Sequence, residues 1–286
     1  ISFNSLALAG SAPGKLLPAQ WRSLDVADIR PELDRLLLGK QPDAGLEGLR
    51  EIGFLDVWLP EVASMVGFGD GEWRHKDVWK HTKQVVLQSV RRIEVRWGAL
   101  LHDVGKVKTR SVGPRGEIHF FGHSEVGAAM FRKRMARRLA FQGKLHDRVH
   151  FLILHHLRAS QYEPSWTDSA VRRFDRDMGD GLRDLLDLSR ADITTKRPEK
   201  KKRGLRQISN LSRRIEALRV ADAQVPPLPK GLGNAVTEAF GIPPSKRIGD
   251  LFKLLERRVA EGELEGGKDV DFYITWMTDN REPLDI

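Results

Sequence analysis

Leu100-Leu101-His102-Asp103-Val104-Gly105-Lys106 is an apolar run that stops on an adjacent imidazole and carboxylate. Trp97, Leu100, Leu101 and Val104 recur at helical spacing, so the run reads as the buried face of a helix. Gly105 reads as the C-terminal cap that ends it. A carboxylate carried on such a face is costly unless a cation meets it. At a helix end, the adjacent His102 and Asp103 can turn both polar groups into one cleft.

The flanking sequence repeats the pattern. Upstream, His81 lies in the stripe Val78, His81, Val85. Downstream, Val149, Leu152, Ile153 and His156 fall at i, i+3, i+4 and i+7, as do Leu185, Leu188, Ser189 and Asp192. Any single histidine on an apolar face is usually a core residue satisfied by hydrogen bonds. Separate helices that each turn a His or Asp inward, in the order His81, His102-Asp103, Asp192, point instead to one shared cation.

The chain has 286 residues and no cysteine. Disulfides, thiolate zinc sites, iron–sulfur clusters and cysteine nucleophiles are thereby excluded. A metal must be held by imidazole and carboxylate, a donor set that suits Mn, Fe, Co, Ni, Zn or Mg, as one ion or two. Net charge is +9, which favours a polyanionic partner. The densest basic run is Lys196-Arg197-Pro198-Glu199-Lys200-Lys201-Lys202-Arg203, and a second spans Arg132-Lys133-Arg134 and Arg137-Arg138 on a predicted helix. No apolar run is long enough to cross a bilayer, and Leu6 to Gly10 lacks the flank and length of a signal peptide. A cytoplasmic protein with no membrane partner is expected, and the sequence is silent on oligomeric state.

Periodicity reads as all-α with one interruption. Residues 1–26 read as a leader or linker, with Gly10, Gly14 and two prolines. Two helices follow, one around Leu33, Leu36, Leu37 and Leu38, the other around Leu46, Leu49 and Ile52, ending near Gly53. A short hairpin is expected within 109–121, turning at Gly113-Pro114-Arg115-Gly116. Helices resume over 125–140, 145–159, 169–178 and 182 to about 195. Pro226-Pro227-Leu228-Pro229 then breaks the chain before two or three short helices, including 248–259.

The order His … His-Asp … Asp, with His-Asp-x-Gly-Lys at the pair, resembles the HD superfamily of metal-dependent phosphohydrolases. The chain is similar, more closely, to the C-terminal half of bacterial tRNA nucleotidyltransferases (CCA-adding enzymes) and poly(A) polymerases. The likeness runs from about residue 29 to 259. It is carried by 45–61, Asp77-Val78-Trp79-Lys80-His81-Thr82, 99–110, Phe120-Phe121-Gly122-His123-Ser124-Glu125, Val171-Arg172-Arg173-Phe174 and Ser189-Arg190-Ala191-Asp192. In those terms 27–70 is a neck-like helical segment, 71–222 the HD domain and 223–286 a C-terminal helical segment. The family's polymerase head carries Gly-Ser followed by an Asp-x-Asp pair for two magnesium ions, and Gly10-Ser11 has no such pair after it. Asp175-Arg176-Asp177 has the spelling but falls in a predicted helix, where residues two apart face different ways. Nucleotide addition is not expected.

The resemblance implies that His81, His102, Asp103 and Asp192 hold one divalent ion. It also implies that His123 with His156 or His155 supplies a second, bridged by Asp103; His156 continues the cleaner apolar stripe. Bound metal would acidify water and withdraw charge from phosphorus. Asp103 and Lys106 are the candidate catalytic residues. Lys106, Arg110, Arg172 and Arg173 are candidates for binding phosphate, with helical salt bridges to Asp168, Asp175, Asp177 or Glu163 the alternative for the last two. Lys196, Lys200, Lys201, Lys202 and Arg203 are candidates for contacting RNA. His119, His146 and His150 are assigned to hairpin or surface packing. The leading functional expectation is a phosphohydrolase or phosphodiesterase acting on a nucleotide or an RNA, tRNA-like, phosphate such as a 2′,3′-cyclic or 2′-phosphate. A non-catalytic RNA-binding body and, more distantly, di-iron oxygenase chemistry are the alternatives.

Overall fold

The computed structural model describes residues 18–68, 77–224 and 227–284. Residues 1–17 of the expected leader lie outside them, Gly10-Ser11 included. The remainder of that segment is not a linker. Pro18–Arg22 is helical (α1) and buries Trp21, whose indole donates to the Ile52 carbonyl at 3.2 Å and packs edge-on against Phe54.

The helices α2 (Val26–Leu38) and α3 (Pro42–Glu51) follow the two leucine patterns, and Phe54–Trp58 and Pro60–Ala63 add short turns after them. Asp25 caps α2 by accepting from the Ala27 amide. The helix α4 (Val78–Gln88) carries His81, and α5 (Ile93–Leu101) leads into His102. From Val95 to Leu101 every residue of α5 is buried. A stretch buried on every side, here with Arg96 among its apolar residues, belongs at the centre of a bundle. Accordingly α5 packs against α2, α4, α6 (Gly143–His155) and α7 (Leu182–Ala191). The hairpin pairs Ser111–Val112 (β1) with Ile118–His119 (β2), antiparallel, with Ser111 opposite His119. The helix beginning at His123 runs as α-helix to Met130, widens to a π-turn over Phe131–Met135, and ends at Arg138.

Chain packing defines two compact units. One comprises Ile1–Tyr162 with Asp180–Ile208, the other Glu163–Gly179 with Ser209–Ile286. The division is not linear in chain order: α8 (Asp168–Met178) groups with the C-terminal segment, and a 27-residue helix α9 (Pro198–Gln224) contributes to both. Helical periodicity in the sequence runs only to about residue 195, and the structure adds α9 beyond it. It buries Ile208, Leu211 and Ile215 along one face. In the second unit Leu232, Val236, Leu255, Tyr273 and Met277 form the core. There Arg219 forks on Asp175, and Arg214 reaches Asp168 at 2.6 Å. Among the described residues no helix is long and apolar enough to cross a membrane.

An ion pair in the first unit joins a buried carboxylate to a half-buried guanidinium. Glu61, 6% exposed, accepts both terminal nitrogens of Arg138, at 2.7 and 2.8 Å. Arg138, counted above within a basic surface cluster, is therefore committed internally. Burial raises the Glu61 carboxyl, yet the guanidinium outweighs it and holds it below its ordinary 4.5. Removing the carboxylate charge weakens two charge-assisted hydrogen bonds while the guanidinium keeps part of its water, so Glu61→Gln is expected to cost about 2 kcal/mol at neutral pH. Because the folded value is depressed, the stabilisation is full above the unfolded carboxyl's value and is lost as pH falls through the folded one. Chemical denaturation of both proteins across the acid range should show the gap closing on acidification. A gap independent of pH would separate the loss from the carboxylate's charge.

Candidate metal centre

The candidate ligand residues sit at helix ends. His102, His156 and Asp192 are the C-terminal caps of α5, α6 and α7, and His123 is the first residue of the helix that follows the hairpin. Helix C-termini carry partial negative charge, so three of them at one place favour a cation there. His81 enters from the first turns of α4, which Asp77 caps by accepting from the Lys80 amide at 3.1 Å.

Gly105 does not cap α5 in the left-handed conformation expected of it. Its φ is −68°, and the chain continues directly into the short helix Lys106–Thr109. Its requirement for glycine is steric: a Cβ there would lie 2.0 Å from the His123 carbonyl oxygen and 2.8 Å from the Gly127 nitrogen. Two backbones approach so closely that no side chain fits, and this brings the His102-Asp103 turn onto His123. Gly122, with φ 71°, supplies the left-handed step that sets up that helix.

The imidazoles are oriented alike. His102, His123 and His156 each donate through Nδ1 to a backbone carbonyl, of Ala99, Phe120 and Ile153 respectively, all at 2.8 Å. His81 Nδ1 meets Thr194 Oγ1 at 2.9 Å. A carbonyl only accepts, so the proton of each neutral ring bonded to one resides on Nδ1, and Nε2 presents a lone pair inward. The Nε2 atoms of His123 and His156 face each other at 3.1 Å, and the buried Nε2 of His102 faces the Asp103 carboxylate at 3.2 Å without the alignment of a hydrogen bond. Lone pairs aimed together in a buried site need a cation.

Two donor groups emerge: His81, His102 and Asp192, and Asp103, His123 and His156. Asp103, 1% exposed, joins them. Its Oδ2 faces His102 Nε2 at 3.2 Å and His81 Nε2 at 3.6 Å, while its Oδ1 faces His123 at 3.5 Å and His156 at 3.8 Å. Asp192 Oδ1 lies 2.9 Å from His81 Nε2. With no metal bound, the same demand for positive charge is met by a proton on His102 Nε2, which a bound ion would displace. Burial opposes a charged His102, but Asp103 and Asp192 override it and push the imidazole up to about 10. Burial and the neighbouring His102 charge push His156 down to about 4. Both carboxyls stay well below the carboxylate range despite burial, through His102 foremost. All-nitrogen-and-oxygen donors, inward lone pairs and two anionic carboxylates fit one or two divalent ions.

Lys106 belongs to the same place, its ammonium 2.7 Å from Asp103 Oδ2. Other expected residues fall elsewhere. His155 is outside both donor groups and packs against Phe151, with ring centroids 4.7 Å apart. Arg110 is exposed just past the short helix. Arg172 and Arg173 lie in the second unit, where Arg172 forks on Asp222, a partner fifty positions on that local salt-bridge spacing does not suggest. Lys200, Lys201, Lys202 and Arg203 are exposed on the first turns of α9, and Lys196 is exposed just before it. Thr194 was not anticipated; its only sequence signal is its place two residues after Asp192. Gln88, also missed, donates to the Ile193 carbonyl at 3.2 Å and so ties the end of α7 to α4.

Comparison with known proteins agrees with this construction. The HD domain family matches residues 75–220. The family described as "Probable RNA and SrmB- binding site of polymerase A" matches residues 28–66. The CC-adding tRNA nucleotidyltransferase of Thermus thermophilus is 32% identical over 273 residues, 93% of this chain and 58% of that protein. The A-adding tRNA nucleotidyltransferase of Deinococcus radiodurans is 32% identical over 246 residues, 82% of this chain and 55% of its own length. The chain thus spans a little over half the length of these relatives. With the His and Asp donors gathered at the ends of a helical bundle, and a match across half its length, the chain belongs to the HD domain family.

Proposed function

We propose that this chain is a metal-dependent phosphohydrolase or phosphodiesterase whose substrate is a nucleotide or RNA-terminal phosphate, such as a 2′,3′-cyclic phosphate or a 2′-phosphate. The observation that carries the reading is Asp103, buried, with one oxygen turned to each of two His-rich donor groups. His81, His102, Asp103 and Asp192 would hold one ion, and His123 and His156 with Asp103 a second. A divalent ion there supplies Lewis-acid polarisation of a phosphoryl oxygen and acidifies water. The protein's own part is orientation. Backbone carbonyls lock three imidazoles in one tautomer, and Lys106 adds a positive charge at the edge of the cluster, where phosphate oxygens would be received. Metal analysis of the purified protein, with a phosphatase and cyclic-phosphodiesterase screen across divalent ions, tests the reading. At least one ion per chain and metal-dependent hydrolysis of 2′,3′-cyclic AMP or 2′-AMP are expected. Stoichiometric metal with no hydrolysis of either would refute it.

A second reading, an RNA-holding body without catalysis, is favoured by the basic start of α9 and by the match over residues 28–66. The relatives' names make tRNA the ligand to try. Charge reversal at Lys200, Lys201 and Lys202 should weaken tRNA binding and reduce the salt slope by about two to three, since each lost phosphate contact removes close to one released counterion. Hydrolysis of a small nucleotide should be unaffected. Normal tRNA binding by the triple variant would reduce the run to a solvated helix end and favour a free nucleotide as substrate.

A further inference from the structure

Between Lys106 and the metal-centre histidine His123 the chain makes its hairpin, and there it exposes an aromatic ring. Phe121 is 77% exposed and, among the described residues, the only exposed Phe, Tyr or Trp. Its ring is not loose: it stacks on His119, centroids 4.8 Å apart and planes 16° from parallel. The neighbouring Phe120 faces the other way, packing on Phe68 and lying under the Lys106 ammonium, while its carbonyl accepts from His123 Nδ1. The backbone that presents Phe121 is thus tied to a ligand of the metal centre. Two residues of chain span at most about 7 Å, so the backbones of Phe121 and His123 lie within the length of one nucleotide. The segment 106–121 carries Lys106, Lys108, Arg110 and Arg115 against a single acid, Glu117.

An exposed flat ring backed by a second ring, in a cationic setting beside a phosphate-handling cluster, matches what a nucleobase needs. Aromatic faces stack bases without regard to their hydrogen-bonding edges, and basic residues track the attached phosphates. We propose that Phe121, supported by His119, is the base platform of this site: the base of the nucleotide whose phosphate enters the Asp103 cluster stacks on the Phe121 ring. The inference rests on the nucleotide-phosphate reading above and makes its substrate more specific, a nucleotide with an unpaired base rather than a generic phosphate ester or a duplex terminus.

The test is a nuclear magnetic resonance titration of the full chain loaded with zinc ion, with 2′-AMP and with inorganic phosphate as the base-free probe, each point read at low temperature while the phosphorus signal shows that 2′-AMP is intact. Phe121→Ala should weaken 2′-AMP about tenfold, the scale of one stacked base. Phe121→Trp should bind within twofold of the parent, and phosphate affinity should be the same in all three. Because the ring is exposed, the variants should keep the parent's melting temperature, which is measured alongside. The proposal is overturned if Phe121→Ala binds 2′-AMP as the parent does, if phosphate binding falls equally, or if the parent does not bind 2′-AMP. The two readings fail separately. Phe121-dependent binding without hydrolysis in the metal-loaded protein removes the phosphohydrolase and keeps the platform. Hydrolysis with no Phe121 dependence does the reverse.

Discussion

Asp103→Ala should strip metal from both donor groups, whereas His123→Ala should remove only the ion held with His156. The asymmetry follows from the two carboxylate oxygens, one directed at His81 and His102, the other at His123 and His156. Loss of Asp103 leaves the second group with two neutral imidazoles and no anion, and it removes one of only two negative charges from the first. It also leaves the Lys106 ammonium, now 2.7 Å from Asp103, as an uncompensated cation at the site. Divalent ions are poorly held by such a set. Elemental analysis should therefore read near zero for Asp103→Ala and about half the parent value for His123→Ala. Metal-dependent hydrolysis should fall to background in the former. The stabilisation conferred by bound metal, about 4 kcal/mol at a thousandfold excess over the dissociation constant, should vanish with it. Full metal occupancy in Asp103→Ala would mean that the two donor groups do not share this carboxylate.

The second large effect is expected at Gly105, a residue that holds no ligand. A Cβ at this position would overlap the His123 carbonyl at 2.0 Å and press on the His123 carbon and Gly127 nitrogen at 2.9 and 2.8 Å. These are backbone atoms, so no rotamer change relieves the clash, and the two segments must separate. Overpacking of this kind costs about 3 kcal/mol or more. In a domain of this size that corresponds to a fall of about 6–12 °C in melting temperature. Displacing His123 also moves its Nε2 away from Asp103, so metal content should fall with stability in Gly105→Ala. Gly48, a helical glycine with no atom within 4 Å of its would-be Cβ, is the control. Gly48→Ala should leave metal content unchanged and raise stability by up to about 1 kcal/mol, because alanine loses less backbone entropy in a helix. A Gly105→Ala protein that melts like the parent would contradict the close approach.

What could be read from the sequence was whatever depends on local periodicity. The stripes through His81, His156 and Asp192 needed only the helical repeat to turn those residues inward, and the structure groups all three in the donor sets. The same repeat favours His156 over its neighbour His155 without deciding between them, since adjacent residues on a helix point about 100° apart. The hairpin was legible from its Gly-Pro-Arg-Gly turn, and the all-α class from the spacing of apolar residues. The long α9 was missed because its opening turns are almost wholly charged and show no stripe until Ile208. Tertiary structure alone decided what depends on atoms distant in sequence. Gly105 looks like a cap when only its own helix is considered, but its role is to let the His123 backbone through. Arg172 has acids at helical spacing yet forks on Asp222. Arg138 belongs by composition to a basic surface and by packing to Glu61. The division of the Asp103 oxygens between two sets of imidazoles requires four chain segments to converge, and periodicity, which fixes the direction of a side chain about its own axis, carries no information on which other axis it meets.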